Sequence, residues 1–287
     1  MSGIDLHIHS NASDGKFSPE DIVKKAAGLG LTNIALTDHD TVNGIARAIT
    51  AAKAFPGLMV IPGIELSTDV PVGEVHILGY FIDYQDRTLR ETCDRVRSSR
   101  EERAQKMIHK LNRLGIQINW RRVQEIAGSG TVGRPHIAQA LLEQGYITSF
   151  KEAFVKYIGH GGPAYVKWEK MTPVEAVEMV LRYHGLPVLA HPLTAADPAA
   201  LTLELKKAGL IGIEAYYNSN TAEQIKLILS LATKHELIPT GGSDYHGLDD
   251  NTETMMGAAP VPRAVIERLI DIAKKRLVIF PSPVDDA

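Results

Sequence analysis

The chain is poor in cysteine. Cys93 stands alone among 287 residues, so an intramolecular disulfide is excluded and a reducing compartment is expected. Long apolar runs are missing too, and none approaches the roughly 18 residues that span a bilayer. The N-terminal MSGIDLHIH lacks the basic start and apolar stretch of a signal peptide. Charge of one sign is also lacking: the net charge is −3, which argues against a general nucleic-acid binder or a membrane-surface protein. There is no internal repeat and no low-complexity tract. The expectation is a cytoplasmic protein with no membrane association and no evident obligate protein partner. With 44% hydrophobic residues, the chain can build one large domain or one domain with an elaboration.

What is present is alternation. Strand-like apolar runs fall at 4–8, 33–36, 58–64, 75–81, 187–190, 210–215, 237–240 and 278–280, with helix-like stretches between most of them. Ser18-Pro19-Glu20-Asp21 opens one helix with a serine cap, proline in the first turn and two acids. Thr172-Pro173-Val174-Glu175 repeats the device as a capping box, and Gly185 is placed to end that helix. Such a pattern predicts an α/β protein with a mainly parallel sheet, open or closed into a barrel. One connection is too short for this scheme. Between Glu65 and Val75 the chain has only nine residues, with the turn Asp69-Val70-Pro71-Val72-Gly73 among them, whereas a parallel crossover takes about a dozen residues or more. A local antiparallel return is expected there, bringing His76 beside Glu65.

The alternation lapses from about Asp94 to Trp168. That stretch reads as an inserted helical subdomain (94–168) in a barrel or sheet domain made of 1–93 and 169–287, with turns at Gly115, 128–130 and 159–163. Residues 95–122 hold nine Lys/Arg against two acids. A solvated helix face explains such a run; a lid carrying cations to an anionic substrate explains it as well.

The chemistry begins in IDLHIHSNASDG. His7 and His9 share one face of a strand and could grip a metal. Eleven histidines in this length yield about 0.4 such pairs by chance, so the pair alone decides nothing. The other strand ends decide more. Thr37-Asp38-His39-Asp40, Glu65, Ala190-His191-Pro192 and Gly242-Ser243-Asp244-Tyr245-His246 each follow an apolar run directly. In α/β proteins functional groups gather at the C-terminal edge of the strands. The candidate set is His7, His9, Asp14, His39, Glu65, His76, His191, Asp244 and His246. Mixed nitrogen and oxygen ligands suit zinc, manganese or iron better than magnesium or calcium. Nine ligands suit two or three ions, with Glu65 the expected bridge.

The stretches DLHIHSNASDG, ALTDHDT, GIELS, EVHILGY, AHP and GSDYH resemble the successive motifs of the PHP (polymerase and histidinol phosphatase) family. The resemblance implies a distorted seven-stranded (β/α) barrel, amidohydrolase-like, with a trinuclear metal site. It implies His7, His9, Glu65 and Asp244 around one ion, Asp14, His39 and His246 around a second, and Glu65, His76 and His191 around a third. The insert, with TVGRPHIA and GGPAYV, resembles the stand-alone branch that acts on nucleoside 3′,5′-bisphosphates and the 5′ ends of short RNA.

The resulting expectation is a metal-dependent phosphoesterase in which a metal-bridging hydroxide attacks phosphorus. Its substrate would be a nucleotide with a terminal phosphate or a short RNA end. The alternatives are a histidinol-phosphate-type phosphatase and a non-catalytic metal-binding module. Arg134, His136, Arg100 and Lys167 are candidate phosphate contacts, and His136 is a candidate leaving-group acid. Glu214 and Asp40 are candidates for orienting histidines, and Tyr216, Tyr217 and Asn218 could meet a base. His109, His160, His184 and His235 read as structural or surface histidines.

Overall fold

A computed structural model describes residues 3–128, 130, 132–167, 171–217, 219–248 and 255–276. Asn218 and the strand-like run at 278–280 lie outside the described residues.

The chain order is β1 (Ile4–Ile8), α1 (Pro19–Gly28), β2 (Asn33–Leu36), α2 (Ile45–Ala52), β3 (Met59–Ser67), β4 (His76–Tyr80), then α3 (Arg87–Arg113), α4 (Trp120–Ala127), α5 (Arg134–Glu143) and α6 (Phe150–Ala153). A π-helical turn (Phe154–Ile158) follows, and the alternation resumes with α7 (Pro173–Arg182), β5 (Leu186–Leu189), α8 (Pro198–Ala208), β6 (Gly212–Tyr217), α9 (Ala222–Lys234), β7 (Ile238–Gly242) and α10 (Arg263–Lys275). The seven strands form one sheet in sequence order. The sheet nearly closes: the His9 N–H donates to the Tyr245 carbonyl and the Asp244 N–H to the His7 carbonyl, both at 2.9 Å. The protein is thus an α/β barrel, as its motifs imply.

The short connection does what its length requires. β3 and β4 pair antiparallel, with Ser67 opposite His76 and Glu65 opposite Leu78. β4 also runs against β5, while the other neighbouring pairs are parallel. Because β4 is reversed, its start, not its end, lies at the edge where the other strands finish. That is how His76 reaches the common rim.

The helix starts follow their caps. Ser18 Oγ accepts from the Asp21 N–H, and Thr172 with Glu175 forms a reciprocal capping box. The end of α7 differs from expectation. His184 takes the left-handed turn at φ 63°, and the Gly185 N–H donates to the Val180 carbonyl. Gly185 is needed for space: a Cβ there would lie 2.8 Å from a Val180 methyl.

Separate apolar clusters hold the layers. Ile64, Ile77, Leu189 and Ile213 pack with α7 and α9, while Leu78, Tyr80, Leu186 and Val188 join a cluster that reaches α10. The helices between β4 and α7 have their own core around Met107, Leu111, Val123, Ile137 and Leu141. α3 serves two of these cores. Leu89 and Cys93 pack in the barrel-side cluster, and Ala104, Met107, Ile108 and Leu111 in the insert's. The expected boundary at 93/94 therefore falls inside one continuous helix. Burial pushes the Cys93 thiol up to about 12, which leaves it protonated and inert. No described helix is long and apolar enough to cross a membrane.

Candidate metal centre

All nine candidate ligands converge at one rim of the barrel. Glu65 is their pole. Its Oε2 lies 3.1 Å from Nε2 of both His7 and His9 and 3.3 Å from His39 Nδ1. Its Oε1 lies 2.9 Å from His76 Nδ1 and 3.1 Å from His191 Nε2. One buried carboxylate thus faces five imidazoles. Asp244 Oδ1 adds a second acceptor, 3.2 Å from His7 and 3.1 Å from His9. Asp14 sits further out, 3.4 Å from His246 Nε2 and 3.9 Å from His39 Nε2.

A surrounding layer fixes these side chains. Glu214 accepts from the His191 backbone N–H at 2.7 Å and lies 3.0 Å from His7 Nδ1, so it orients the His7 ring and fixes the His191 backbone. Asp38 is tied to Ser10 and Ser13, with contacts to the Ser10 N–H and hydroxyl and to the Ser13 hydroxyl. Those bonds pin the loop that presents Asp14. Asp5 accepts from the Ser243 N–H at 2.9 Å and the Gly257 N–H at 2.7 Å, joining the β1 and β7 ends beside Asp244. Asp40, rather than touching His39, accepts from the Ser67 N–H and from Arg100. Three non-glycine residues here hold positive φ: Asp40 at 52°, His191 at 25° and Asp244 at 56°. Each such conformation costs on the order of 1–3 kcal/mol and persists only where its surroundings over-determine it.

Burial and neighbouring charge set the protonation states. Burial alone would raise the Glu65 carboxyl, but the imidazoles of His39, His7 and His76 outweigh it and hold Glu65 well below its usual range. Asp14 is likewise driven upward by burial and held well below normal by His39 and His246. Burial pushes His39 well down against the pull of Glu65 and Asp14. His246 goes the other way: burial opposes its charge, yet Asp14 and Asp244 lift it to about 10. Protons and metal cations compete for such nitrogens.

Do the residues fit metal ions? Both ring nitrogens of His9, Asp14 Oδ1 and His39 Nδ1 are buried without a hydrogen-bond partner. They face carboxylate or imidazole atoms at 3.1–3.8 Å without hydrogen-bond geometry, an arrangement that a cation between them would satisfy. Three sets offer one atom each with all atoms within 4.8 Å of one another: His7, His9, Glu65 and Asp244; His9, Asp14, His39 and His246; and His39, Glu65 and His76. The first equals the implied grouping, and the second adds His9 to it. The third has His39 where the resemblance implies His191, although His191 still lies against Glu65 Oε1. The donor set fits divalent cations that take imidazole and carboxylate together.

Beside this cluster opens a cavity of about 300 Å³. Asp14, His39, Glu65, His76 and His191 form one wall, and Arg100, Arg103 and Arg134 come from the insert. Arg134 is paired with Glu74 and lies 5.2 Å over the Phe154 ring. Two of the expected phosphate contacts are placed elsewhere. The His136 ring is buried and accepts from the Gly133 N–H at 2.9 Å; it caps α5 and does not line the cavity, and burial depresses its basicity. Lys167 is 74% exposed and pairs with Asp69 at 3.6 Å, off the cavity wall. Arg103 was missed although its spacing of three from Arg100 on a helix signals a shared face. Tyr217 lines the cavity and donates to Asp244 Oδ2, whereas Tyr216 packs against the core clusters. His160 lies against Tyr165, and His184 and His235 serve helix ends.

The PHP domain pattern matches residues 5–184. The chain is 33% identical over 246 residues to the 5′-3′ exoribonuclease of Haemophilus influenzae, covering 84% of this chain and 89% of that one. It is 32% identical over 256 residues to the 3′,5′-nucleoside bisphosphate phosphatase of Chromobacterium violaceum, covering 86% and 88%. A solved structure classed as a metal-dependent phosphoesterase, from Bifidobacterium adolescentis, superposes with a TM-score of 0.84 at 27% identity, covering 93% of this chain and 95% of that one. By these matches, alongside the barrel and its rim of imidazoles and carboxylates described above, the chain belongs to the PHP domain family of metal-dependent phosphoesterases.

Proposed function

We propose that the protein removes a terminal phosphate from a nucleotide, most readily a nucleoside 3′,5′-bisphosphate or the 5′ end of a short RNA. The supporting observation is the two-sided cavity, with imidazoles and carboxylates on one wall and three arginines on the other. About 300 Å³ matches the lower end of small-ligand pockets, which run from about 300 to 1,000 Å³. A substrate with two separated anions suits such a cavity, because each wall can take one.

His7, His9, Asp14, His39, Glu65, His76, His191, Asp244 and His246 would hold two or three ions of manganese, zinc or iron. Bound there, the ions would polarise phosphoryl oxygens and lower the pKa of water. Glu65 sets the position of five rings and keeps its charge. Glu214 holds His7 and the backbone of His191 in place, and Tyr217 steadies Asp244. Arg100, Arg103 and Arg134 neutralise the outer phosphate oxygens, Arg134 by exchanging its Glu74 partner for phosphate. A guanidinium meets phosphate with two parallel N–H donors, which fixes orientation as well as charge.

The test is phosphate release from a 3′,5′-bisphosphate and from the matching 5′-monophosphate, with manganese supplied. A strong preference for the bisphosphate is expected. Equal turnover would defeat the two-anion reading and favour a simple monoester such as histidinol phosphate.

A further inference from the structure

The basic residues of α3 do not stop at the cavity. Arg100 and Arg103 line it, and Lys106, Lys110 and Arg113 continue along the same helix. Their spacings of three, three, four and three residues average less than the 3.6 per turn of an α-helix, so the stripe winds around the helix as it advances. It leaves the cavity side and enters a second, open groove lined by Lys106, His109, Lys110, Arg113 and Lys167, with Glu102 as its acidic member. The two spaces share a wall. Arg103, on the cavity, donates from Nε to the carbonyl of Val166, on the groove, at 2.8 Å. Lys110 straps the same segment by donating to the Tyr165 carbonyl at 2.6 Å.

A solvated helix face is the ordinary explanation of such a stripe, and some arginines on this chain's solvated faces are satisfied by ion pairs. Arg87 pairs with Glu91, Arg97 with Glu101, Arg121 with Glu125 and Arg263 with Glu267, each one helical turn apart. The groove differs from such faces in shape, being concave and continuous with the cavity. Among the described residues, Lys106 and Arg113 form no ion pair. Lys106, Lys110 and Arg113 line a concave surface that begins where the cavity's arginines end, with Glu102 as its acidic member.

We propose that this groove binds the phosphodiester backbone of an oligonucleotide whose 5′-phosphate end lies in the cavity. The inference rests on the nucleotide reading given above and extends it from the reacting end to the following chain. From Arg100 to Arg113 the helix advances about 20 Å at 1.5 Å per residue, beyond the reach of a mononucleotide. Binding of this kind is electrostatic, tolerant of sequence and steeply dependent on salt.

The experiment compares the wild type with the double variant Lys106→Gln/Arg113→Gln on two ligands. Anisotropy of a 5′-phosphorylated hexaribonucleotide is measured in EDTA, where hydrolysis stops, across a salt series. KM and kcat for a 3′,5′-bisphosphate are measured with manganese. The variant is expected to bind the hexaribonucleotide about tenfold more weakly at low salt, and its log–log salt slope to shrink by about 1.4 for two lost single-strand phosphate contacts. Its bisphosphate kinetics stay as in the wild type. Unchanged hexaribonucleotide affinity and slope would overturn the groove. Equal competition by polyglutamate would assign the groove to an acidic polypeptide and overturn it as well. Groove-dependent binding by a wild type that hydrolyses neither ligand would support the groove while defeating the nucleotide-phosphatase reading. Bisphosphate hydrolysis without tighter binding of the hexaribonucleotide than of a dinucleotide would defeat the groove alone.

Discussion

The barrel rim and the helical insert build opposite kinds of site. At the rim, short side chains on strand ends and their adjoining loops are buried and held from several directions: Glu65 meets five imidazoles, and Glu214 fixes two of its neighbours. On the insert, long cationic side chains reach from helices to the cavity and remain partly in water. Buried groups set position to fractions of an ångström, which bond-breaking demands. Long arginines, only slightly exposed at 14% for Arg100 and 18% for Arg134, set charge and direction, which recognition demands. On the function proposed here, chemistry and selectivity would be carried by different parts of one chain.

Three substitutions probe that division. Glu65→Gln keeps the shape and removes the pole's charge. Activity is expected to fall by about 10³-fold or more, with loss of bound metal by elemental analysis; a fully metallated, active variant would erase the distinction. Glu214→Gln leaves the candidate ligands intact but weakens the hold on His7 and His191. A loss of about 10–100-fold in metal affinity is expected, read by titrating activity against manganese, with recovery at saturating metal. Arg134→Ala acts on the other wall. It is expected to raise KM for the bisphosphate by about tenfold, a charge-assisted hydrogen bond being worth roughly 1.5–3 kcal/mol, while kcat changes little. A kcat loss as large as that from Glu65→Gln would mean that the insert also takes part in the chemistry.

The sequence carried the rim well and the walls poorly. His7 and His9 are two residues apart, and His39, Glu65, His191 and Asp244 follow apolar runs, so strand periodicity and edge position reveal them. The brevity of the β3–β4 connection even exposed the reversed strand that delivers His76. Glu214 also ends a run, yet nothing local distinguishes an orienting carboxylate from a ligand, because its role depends on how far it reaches across the barrel. Arg103 was hidden among nine basic residues. His136 looked reactive in its motif but spends its ring nitrogen on a helix start. Lys167 looked equally apt, and the chain path carries it to the outer side of the segment that Arg103 holds.

α3 is a 27-residue helix, about 40 Å long, whose first turns are anchored with the barrel and whose later turns are the spine of the insert. The insert is thus cantilevered on a stiff beam rather than hung on a linker. Loosening either core unseats the other through that beam, so the two parts are expected to melt as one cooperative unit. Transplanting the insert to another barrel would have to carry the anchoring turns around Leu89 and Cys93 as its foundation.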